Sequence, residues 1–211
     1  MPDLTLYGDA NWESPWGFHV MVALDELALP YKLELLKFPI ADDIRAELRR
    51  HAILGKSPCL VHGDVWLTES SAISEFLAET YAPPTYRPIL PVDRVERARA
   101  RQVMSWLRTS MMGLREDRPT SSVFKSPVTN PLTEKGRRDA DELIRVASEL
   151  VPAGRASIAA TWSVADLDLS LMLMRLVANS EPTVPARVAD YARATWARPS
   201  VQKYLALVPR G

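Results

Sequence analysis

Apolar residues in the first 80 positions recur at two spacings, which predict an alternation of strands and helices. Short apolar runs predict strands over residues 4–7 and 31–36. Between them, residues 16–28 have the spacing of a helix with one buried stripe, formed by Val20, Ala23, Leu24 and Leu27. Ser14-Pro15 supplies a favoured N-cap and a favoured first helical residue, and Pro30 follows the predicted end. A weaker, charged helix is predicted over residues 42–50.

The next segment has the pattern of a hairpin followed by a helix. Two short apolar runs, 59–61 and 65–67, flank the turn sequence His62-Gly63-Asp64, which predicts an antiparallel pair. Glu69-Ser70-Ser71 then begins a third helix that continues through Ala78. The first part of the chain therefore has the order strand, helix, strand, helix, hairpin, helix. This is the order of a thioredoxin-like α/β domain.

A cluster of prolines separates this part from an all-helical remainder. Four prolines fall between residues 82 and 91, which predicts a stiff, extended linker over 82–92. We therefore assign residues 1–81 to the thioredoxin-like domain and 93–211 to an all-α domain. Its helices are predicted over about 93–117, 133–150, 163–179, 185–196 and 199–207. Ser163 and Asp166 are spaced as a capping box at the start of a buried helix.

Charge is balanced overall but differs in sign between the two parts. Residues 1–81 carry 6 Lys/Arg and 13 Asp/Glu, a net charge of −7, and residues 82–211 carry 20 and 13, a net charge of +7. A net charge of zero gives no indication of a nucleic-acid or membrane partner. The opposite signs favour either attraction between the two domains across an interface or two separately solvated faces.

Cysteine and histidine usage points away from disulfides and metals. Cys59 is the only cysteine, so it cannot form an intramolecular disulfide, and its position predicts a buried core thiol. The three histidines lack metal-ligand spacing, and we expect no metal. The first residues lack the pattern of a signal peptide, and no apolar segment approaches the roughly 18–20 residues that span a bilayer. A cytoplasmic location is therefore expected.

Six short sequence segments occur in the order found in one protein family. The chain resembles the cytosolic glutathione transferases over essentially its whole length, and is most similar to bacterial, serine-type members. The resemblance rests on Leu6-Tyr7-Gly8 with Ser14-Pro15, Leu29-Pro30-Tyr31, Gly55-Lys56-Ser57-Pro58-Cys59-Leu60, Glu69-Ser70-Ser71-Ala72-Ile73, Ser163-Val164-Ala165-Asp166 and Arg198-Pro199-Ser200-Val201. It implies the two-domain fold of that family, glutathione as co-substrate, and a homodimer.

Ser14 is the residue to which the resemblance assigns activation of the glutathione thiol. A thiol with a pKa of about 8.5 is only about 3% thiolate at pH 7, so donors and positive potential must stabilise the anion. The N-terminus of a helix provides both, and the Ser14 hydroxyl can add a donor. Asn11 is a weaker candidate for the same role. Tyr7 is the alternative, because tyrosine-type transferases place a hydroxyl close to this position.

The remaining glutathione-binding residues also follow from the resemblance. Pro58 is expected to be a cis-proline that leaves the backbone of Ser57 exposed for antiparallel pairing with a peptide. Glu69 and Ser70 would hold the ammonium and the α-carboxylate of the γ-glutamyl group. Lys37 and Lys56 are candidates for the glycine carboxylate, although either is equally compatible with a solvated surface position.

The second-substrate pocket is assigned to aromatic, methionine and arginine residues from both domains. Four arginines recur along the predicted helix 93–117 at spacings of four, seven and seven, which would place them on one face. This face is compatible with an exposed stripe, a dimer contact or a basic pocket wall for an anionic or peroxide co-substrate. The arginines are Arg97, Arg101, Arg108 and Arg115, and the candidate pocket residues are Trp12, Trp16, Arg108, Met112 and Arg115.

The sequence thus predicts a glutathione transferase that directs the glutathione thiolate at an electrophilic small molecule, a peroxide or a disulfide. It implies no metal and no cofactor besides glutathione. The alternative is a module of the same fold that binds glutathione or a partner without catalysis, since fold alone does not determine function.

Overall fold

The computed structural model describes residues 3–151 and 153–209. The first two and last two residues of the predicted domains lie outside the described residues, as does Pro152. The chain divides into two compact units between Ile89 and Leu90. The first unit is built on a sheet and the second on helices.

The first unit has a four-stranded mixed sheet with the strand order β2-β1-β3-β4. Its elements are β1 (Leu4–Asp9), α1 (Pro15–Glu26), β2 (Lys32–Leu36), α2 (Asp42–Ala52), β3 (Cys59–His62), β4 (Val65–Thr68) and α3 (Ser70–Thr80). Strands β1 and β2 are parallel, whereas β3 is antiparallel to both β1 and β4. The predicted order of strands and helices is confirmed, and helix and strand ends differ by a few residues.

Alternation along β1 directs its side chains to opposite faces of the sheet. Leu4 and Leu6 are fully buried. Tyr7 lies on the other face and packs against a cluster formed by Leu36, Ile40, Leu48, Ala52 and Cys59. The β3–β4 hairpin closes through Gly63 and Asp64, and Gly63 has a φ of +57°, a conformation that glycine adopts without a Cβ clash. The predicted hairpin is therefore confirmed.

The second unit consists of seven helices in its described residues. They are α4 (Arg94–Thr109), α5 (Met112–Asp117), α6 (Ser121–Phe124), α7 (Glu134–Leu150), α8 (Val164–Val177), α9 (Ala186–Trp196) and α10 (Pro199–Leu207). Helix α8 is the centre of this unit, because its residues from Val164 to Leu176 are all buried. It packs against α4, α7 and α9. The capping box of Ser163 and Asp166 is confirmed at its start.

The single helix predicted over 93–117 is wrong, because α4 ends at Thr109 and α5 begins at Met112. Met111 adopts a left-handed conformation with a φ of 62° between them. The break lets α5 pack closely on α7, since a Cβ on Gly113 would lie 2.8 Å from the Lys135 carbonyl carbon. The four arginines consequently do not share one continuous helix. The short helix α6 had no signal in the sequence pattern.

The proline segment was predicted to be an extended linker, but it is not fully extended. Residues 83–85 form a turn in which the Tyr86 N–H donates to the Ala82 carbonyl oxygen at 3.3 Å. Ile89 and Leu90 are buried. A turn and two buried apolar side chains differ from the extended, solvated linker that a proline-rich chain favours.

Candidate functional site

Four chain segments that carry candidate residues meet at one edge of the sheet. Tyr7 of β1 lies opposite Cys59, the first residue of β3, and Cys59 lies opposite Thr68, the last residue of β4. The loop that leads to Ser14 follows β1, whereas Ser57-Pro58 precedes β3 and Glu69-Ser70 follows β4. Because β1 and β2 are parallel, Lys37 leaves the sheet at the same edge. The sheet topology therefore brings these segments together.

Asp9, the last residue of β1, organises the loop that precedes α1. Its Oδ1 accepts the Asn11 N–H at 2.8 Å, and its Oδ2 accepts the Glu13 N–H at 3.0 Å. Trp12, in the middle of the loop, has a φ of 59° and is buried. Side-chain caps of this kind stabilise a turn that the backbone alone would not hold. The sequence analysis missed this role of Asp9, and an aspartate two residues before Asn11 was its only signal.

Ser14 is the N-cap of α1, as predicted. Its Oγ accepts the Gly17 N–H at 3.0 Å, and Pro15 occupies the first helical position. A hydroxyl oxygen that accepts one hydrogen bond retains its own hydrogen for donation. The capped serine can therefore donate to a ligand placed at the positive end of the helix dipole.

Ser57 and Pro58 are joined by a cis peptide bond, as the family resemblance implied. The Ser57 Oγ donates to the Tyr7 carbonyl oxygen at 3.2 Å, which fixes this segment against the end of β1. Ser57 is half-buried, whereas Pro58 and Cys59 are buried. The segment thus lies at the surface beside the loop to Ser14.

Glu69 holds an uncommon backbone conformation immediately before α3, with a φ of 66° and a ψ of 109°. A non-glycine residue in such a conformation stores strain of about 1–3 kcal/mol, and strain of this kind is concentrated at functional sites. The Glu69 side chain is exposed and does not cap the helix. Ser70, the first residue of α3, is only 4% exposed. The first turn of α3 therefore presents backbone N–H groups beside a carboxylate.

A buried hydrogen-bond chain joins α1 to α3 behind these two helix starts. The Ser74 Oγ donates to the Ser70 carbonyl oxygen at 2.8 Å, and His19 Nε2 lies 2.6 Å from the same Oγ. A hydroxyl has one hydrogen, which Ser74 gives to Ser70, so toward His19 the Ser74 oxygen can only accept. His19 and Ser74 are fully buried. This chain, which the sequence analysis did not predict, fixes the spacing of the two helix starts.

The two alternative thiol-activating residues differ from Ser14 in their surroundings. The Tyr7 ring stacks on Trp66 with their centroids 5.8 Å apart, on the α2 side of the sheet. Asn11 is exposed, and its N–H is held by Asp9. Ser14 is the candidate at a helix N-terminus. The catalytic assignment among the three remains a prediction.

Lys56 and Ser57 line a cavity of about 420 Å³ together with residues of α2 and the segments on either side of it. Lys37 is exposed at the end of β2 and does not line this cavity. Arg45 and Arg49, which the sequence analysis did not single out, lie in its wall. Of the two candidate lysines, the structure therefore places Lys56 beside Ser57 in a basic environment.

The candidate second-substrate residues are distributed between the two units. Trp12 is buried and Trp16 is half-buried at the start of α1. In the second unit, Arg108 forms an ion pair with Asp168, and Arg115 Nη1 donates to the Arg108 carbonyl oxygen at 3.2 Å. Met112 is exposed and accepts a weak hydrogen bond from Arg115. Their role in a pocket remains a prediction.

Cys59 is a fully buried thiol, as predicted. Burial raises its pKa to about 12, so it is protonated at neutral pH and is a poor nucleophile. The described residues contain no group of three or more His, Cys, Asp or Glu side chains that could hold a metal ion. None of the helices in the described parts of the chain is long and apolar enough to cross a membrane.

Two family models match the chain in the same order as its two units. The model of the glutathione S-transferase N-terminal domain matches residues 13–80, and the model of the C-terminal domain matches residues 93–210. Among curated proteins, glutathione S-transferase Z1 of Arabidopsis thaliana is 33% identical over 102 residues, which are 48% of this chain and 44% of that protein. Glutathione S-transferase U1 of the same plant is 36% identical over 90 residues, 43% of this chain and 38% of that protein. The matched segments thus span less than half the length of these curated relatives.

Solved structures match along nearly the whole chain. A glutathione transferase homolog from Burkholderia gl BGR1 with bound glutathione has a TM-score of 0.77 and 30% sequence identity, covering 98% of this chain and 97% of that one. Rice GST1 in complex with glutathione has a TM-score of 0.74 at 21% identity, covering 99% of this chain and 91% of that one. The second likeness shows the shared fold.

Proposed function

The chain belongs to the glutathione S-transferase family, and we propose that its first unit binds glutathione and activates the thiol for attack on an electrophile. The observation that carries this proposal is the meeting of two helix N-termini and the Ser57-Pro58 segment at one edge of the sheet. The similar Burkholderia protein has glutathione bound, which supports the same ligand here. The alternative of a module without catalysis has no observation in its favour.

Glutathione would bind as a short extended peptide along Ser57. Its cysteine would pair with the Ser57 backbone as an added antiparallel strand. Its γ-glutamyl α-carboxylate would accept the Ser70 hydroxyl and the N–H groups of the first turn of α3, and its ammonium group would face Glu69. The ligand carries a carboxylate and an ammonium group on one carbon. These match the positive N-terminus of α3 and the negative Glu69 side chain, respectively.

The thiol would then be stabilised as a thiolate by Ser14 and the N-terminus of α1. Lowering the thiol pKa by about 2 units requires roughly 2.7 kcal/mol of preferential stabilisation of the anion. One hydrogen bond to a charged acceptor supplies about 1.5–3 kcal/mol, and the dipole of α1 adds to it. No covalent enzyme intermediate is needed, because the two substrates are held close together and the charge is stabilised in place.

We expect Glu69→Ala and Ser70→Ala each to weaken glutathione binding by about 1–3 kcal/mol, because each removes a partner of the γ-glutamyl group. Isothermal titration calorimetry measures the change. Asp64→Ala and Ser71→Ala are matched controls, since Asp64 is exposed on the hairpin turn and Ser71 follows Ser70 on the same helix. Unchanged affinity in both test variants would remove Glu69 and Ser70 from the site.

A screen of glutathione-dependent turnover would identify the class of electrophile. Aryl halides, hydroperoxides and mixed disulfides represent attack on carbon, oxygen and sulfur, which are the transferase, peroxidase and disulfide reductase reactions. Glutathione binding without turnover of any of them would favour the module without catalysis.

We also propose that the chain forms a cytoplasmic homodimer. The opposite net charges of residues 1–81 and 82–211 favour contact between the first part of one copy and the second part of another. Sedimentation at micromolar concentration should show about twice the chain mass of 23.6 kDa, with a mass that falls as salt is added. A monomer at every salt concentration would contradict the dimer.

A further inference from the structure

The cavity beside Ser57 collects half of the positive charge in the first part of the chain. Residues 1–81 contain six lysines and arginines, and three of them, Arg45, Arg49 and Lys56, line this cavity. The same residues carry 13 acidic side chains. The cavity is therefore lined by positive charge although residues 1–81 as a whole are negatively charged. This clustering follows from the fold and not from the overall composition.

The three cations also lack acidic partners. Lys32 pairs with Glu34 and Arg50 pairs with Glu47, whereas in the described part of the chain no carboxylate lies within 4.0 Å of Arg45, Arg49 or Lys56. Arg45 donates through Nη2 to the Ile40 carbonyl oxygen at 3.2 Å, and its Nε is buried without a hydrogen-bond partner. The cavity wall therefore holds positive charge that no carboxylate of the described residues neutralises.

Gly55 lies directly against the aliphatic stems of Arg45 and Arg49. A Cβ on Gly55 would lie 2.5 Å from Arg45 Cγ and 3.2 Å from Arg49 Cγ, so a glycine is what lets the segment before β3 lie directly against α2. The aliphatic stems of the two arginines thus pack against this segment, and Arg49 is exposed. Phe38 and Ile53 complete the wall with exposed apolar surface.

The direction of a bound peptide places the cavity at its carboxyl end. In antiparallel pairing with Ser57, the peptide residue before the cysteine lies toward Pro58, and the residue after it lies toward Lys56. The start of α3 is on the Pro58 side, because Thr68 lies opposite Cys59. The cavity, lined by residues 53–57, is on the Lys56 side. A peptide with its γ-glutamyl group at α3 therefore ends in the cavity.

The cavity has three cationic side chains and a volume of about 420 Å³. Both its charge and its volume are larger than a single glycine carboxylate needs. Pockets for whole small molecules measure about 300–1,000 Å³. We propose that this cavity is an anion subsite that selects thiol peptides extended beyond glycine by a further acidic group, such as a second γ-glutamyl-cysteinyl unit or an added aspartate. Arg49, at the exposed side of the cavity, pairs with the added carboxylate. The inference rests on glutathione binding at Ser57, as proposed above.

The test compares three synthetic ligands by isothermal titration calorimetry on the full chain. They are glutathione, glutathione extended by aspartate, and glutathione extended by asparagine, so that the last two differ by one charge at equal size. We expect the aspartate peptide to bind about fivefold more tightly than the asparagine peptide at low salt, the scale of two partly exposed ion pairs. The preference should shrink as salt is added.

Arg49→Gln and Arg50→Gln provide the matched pair of variants. The two residues are neighbours on α2, both exposed, but Arg50 pairs with Glu47 and does not line the cavity. Arg49→Gln should reduce the preference to below about twofold, and Arg50→Gln should retain it. Equal binding of the two extended peptides, with glutathione itself still bound, would overturn the subsite and leave the proposed function standing. Absence of binding by all three ligands would overturn both.

Discussion

Replacing Asp166 with alanine should destabilise the protein by about 3–5 kcal/mol, the scale of breaking a buried polar network. The carboxylate is fully buried at the start of α8 and accepts four hydrogen bonds. Its Oδ2 accepts from the N–H and the hydroxyl of Ser163, and its Oδ1 accepts from the Ile158 N–H and the Tyr191 hydroxyl. Alanine would leave all four donors without an acceptor, and each unsatisfied buried donor costs about 1–3 kcal/mol.

Urea denaturation followed by circular dichroism measures this loss through the transition midpoint. A domain has only about 5–15 kcal/mol of stability, so Asp166→Ala can fail to fold, and two milder variants keep the prediction testable. Asp166→Asn retains one acceptor oxygen and should lose less than alanine. Tyr191→Phe removes one donor together with its hydrogen bond and should cost about 1 kcal/mol. The assignment would be wrong if Asp166→Ala changed the stability no more than Tyr191→Phe does.

The pH dependence of stability has a definite sign at this residue. Burial raises the pKa of Asp166 above its ordinary value, and the hydrogen bonds from Ile158, Tyr191 and Ser163 only partly oppose it. Just above the ordinary value, the native state therefore holds a proton that the unfolded chain has lost. Stability falls as pH rises through this interval, up to the pKa in the folded state. Asp166→Asn cannot titrate and should remove that part of the dependence.

The helices and strands were largely predictable because local signals mark their ends. Ser14-Pro15 marks the start of α1, Gly63-Asp64 marks the hairpin, and Ser163 with Asp166 marks the start of α8. The end of α4 has no such signal. The left-handed Met111 follows from close packing of α5 against α7, which depends on residues far apart in the chain.

The candidate residues came from the family resemblance, and their geometry came only with the structure. The resemblance pointed to Ser14, Ser57 and Glu69, and the sheet register brings the segments that carry them to one edge. The strained backbone of Glu69 and the cap by Asp9 depend on the folded loops and leave no periodic pattern. Arg45 and Arg49 look like ordinary solvated residues on a charged helix. Their common cavity arises only when the segment at Gly55 packs against α2.

Ser14→Ala should slow glutathione-dependent turnover at neutral pH by about 10- to 150-fold, if its hydroxyl donates to the thiolate. This is the kinetic equivalent of one hydrogen bond to a charged acceptor, about 1.5–3 kcal/mol. The pKa of bound glutathione should rise, and turnover should recover in part as pH rises. Thiolate absorbance in the ultraviolet, titrated with glutathione bound, measures that pKa directly.

The substitution also removes the N-cap of α1, which costs about 0.5–2 kcal/mol of stability. Ser14→Thr separates the two roles, because threonine keeps both the cap to Gly17 and the hydroxyl donor. We expect it to retain most of the turnover. A stability loss in Ser14→Ala without a rise in the thiol pKa would assign Ser14 to capping alone.

Tyr7→Phe and Asn11→Ala test the two rival donors. Tyr7 stacks on Trp66 on the α2 side of the sheet, so removing its hydroxyl should leave the pKa of the bound thiol nearly unchanged. Asn11 is exposed in the loop that leads to α1. Of the two rival donors, it lies closer to Ser14 along the chain. If the helix N-terminus and Asn11 supplied most of the stabilisation, Ser14→Ala would cost only a few-fold and Asn11→Ala would cost more. A larger loss in Tyr7→Phe, with recovery at high pH, would transfer the role to the tyrosine hydroxyl. The positions in the fold favour Ser14, because it alone of the three stands at the positive end of a helix with its hydroxyl hydrogen still available.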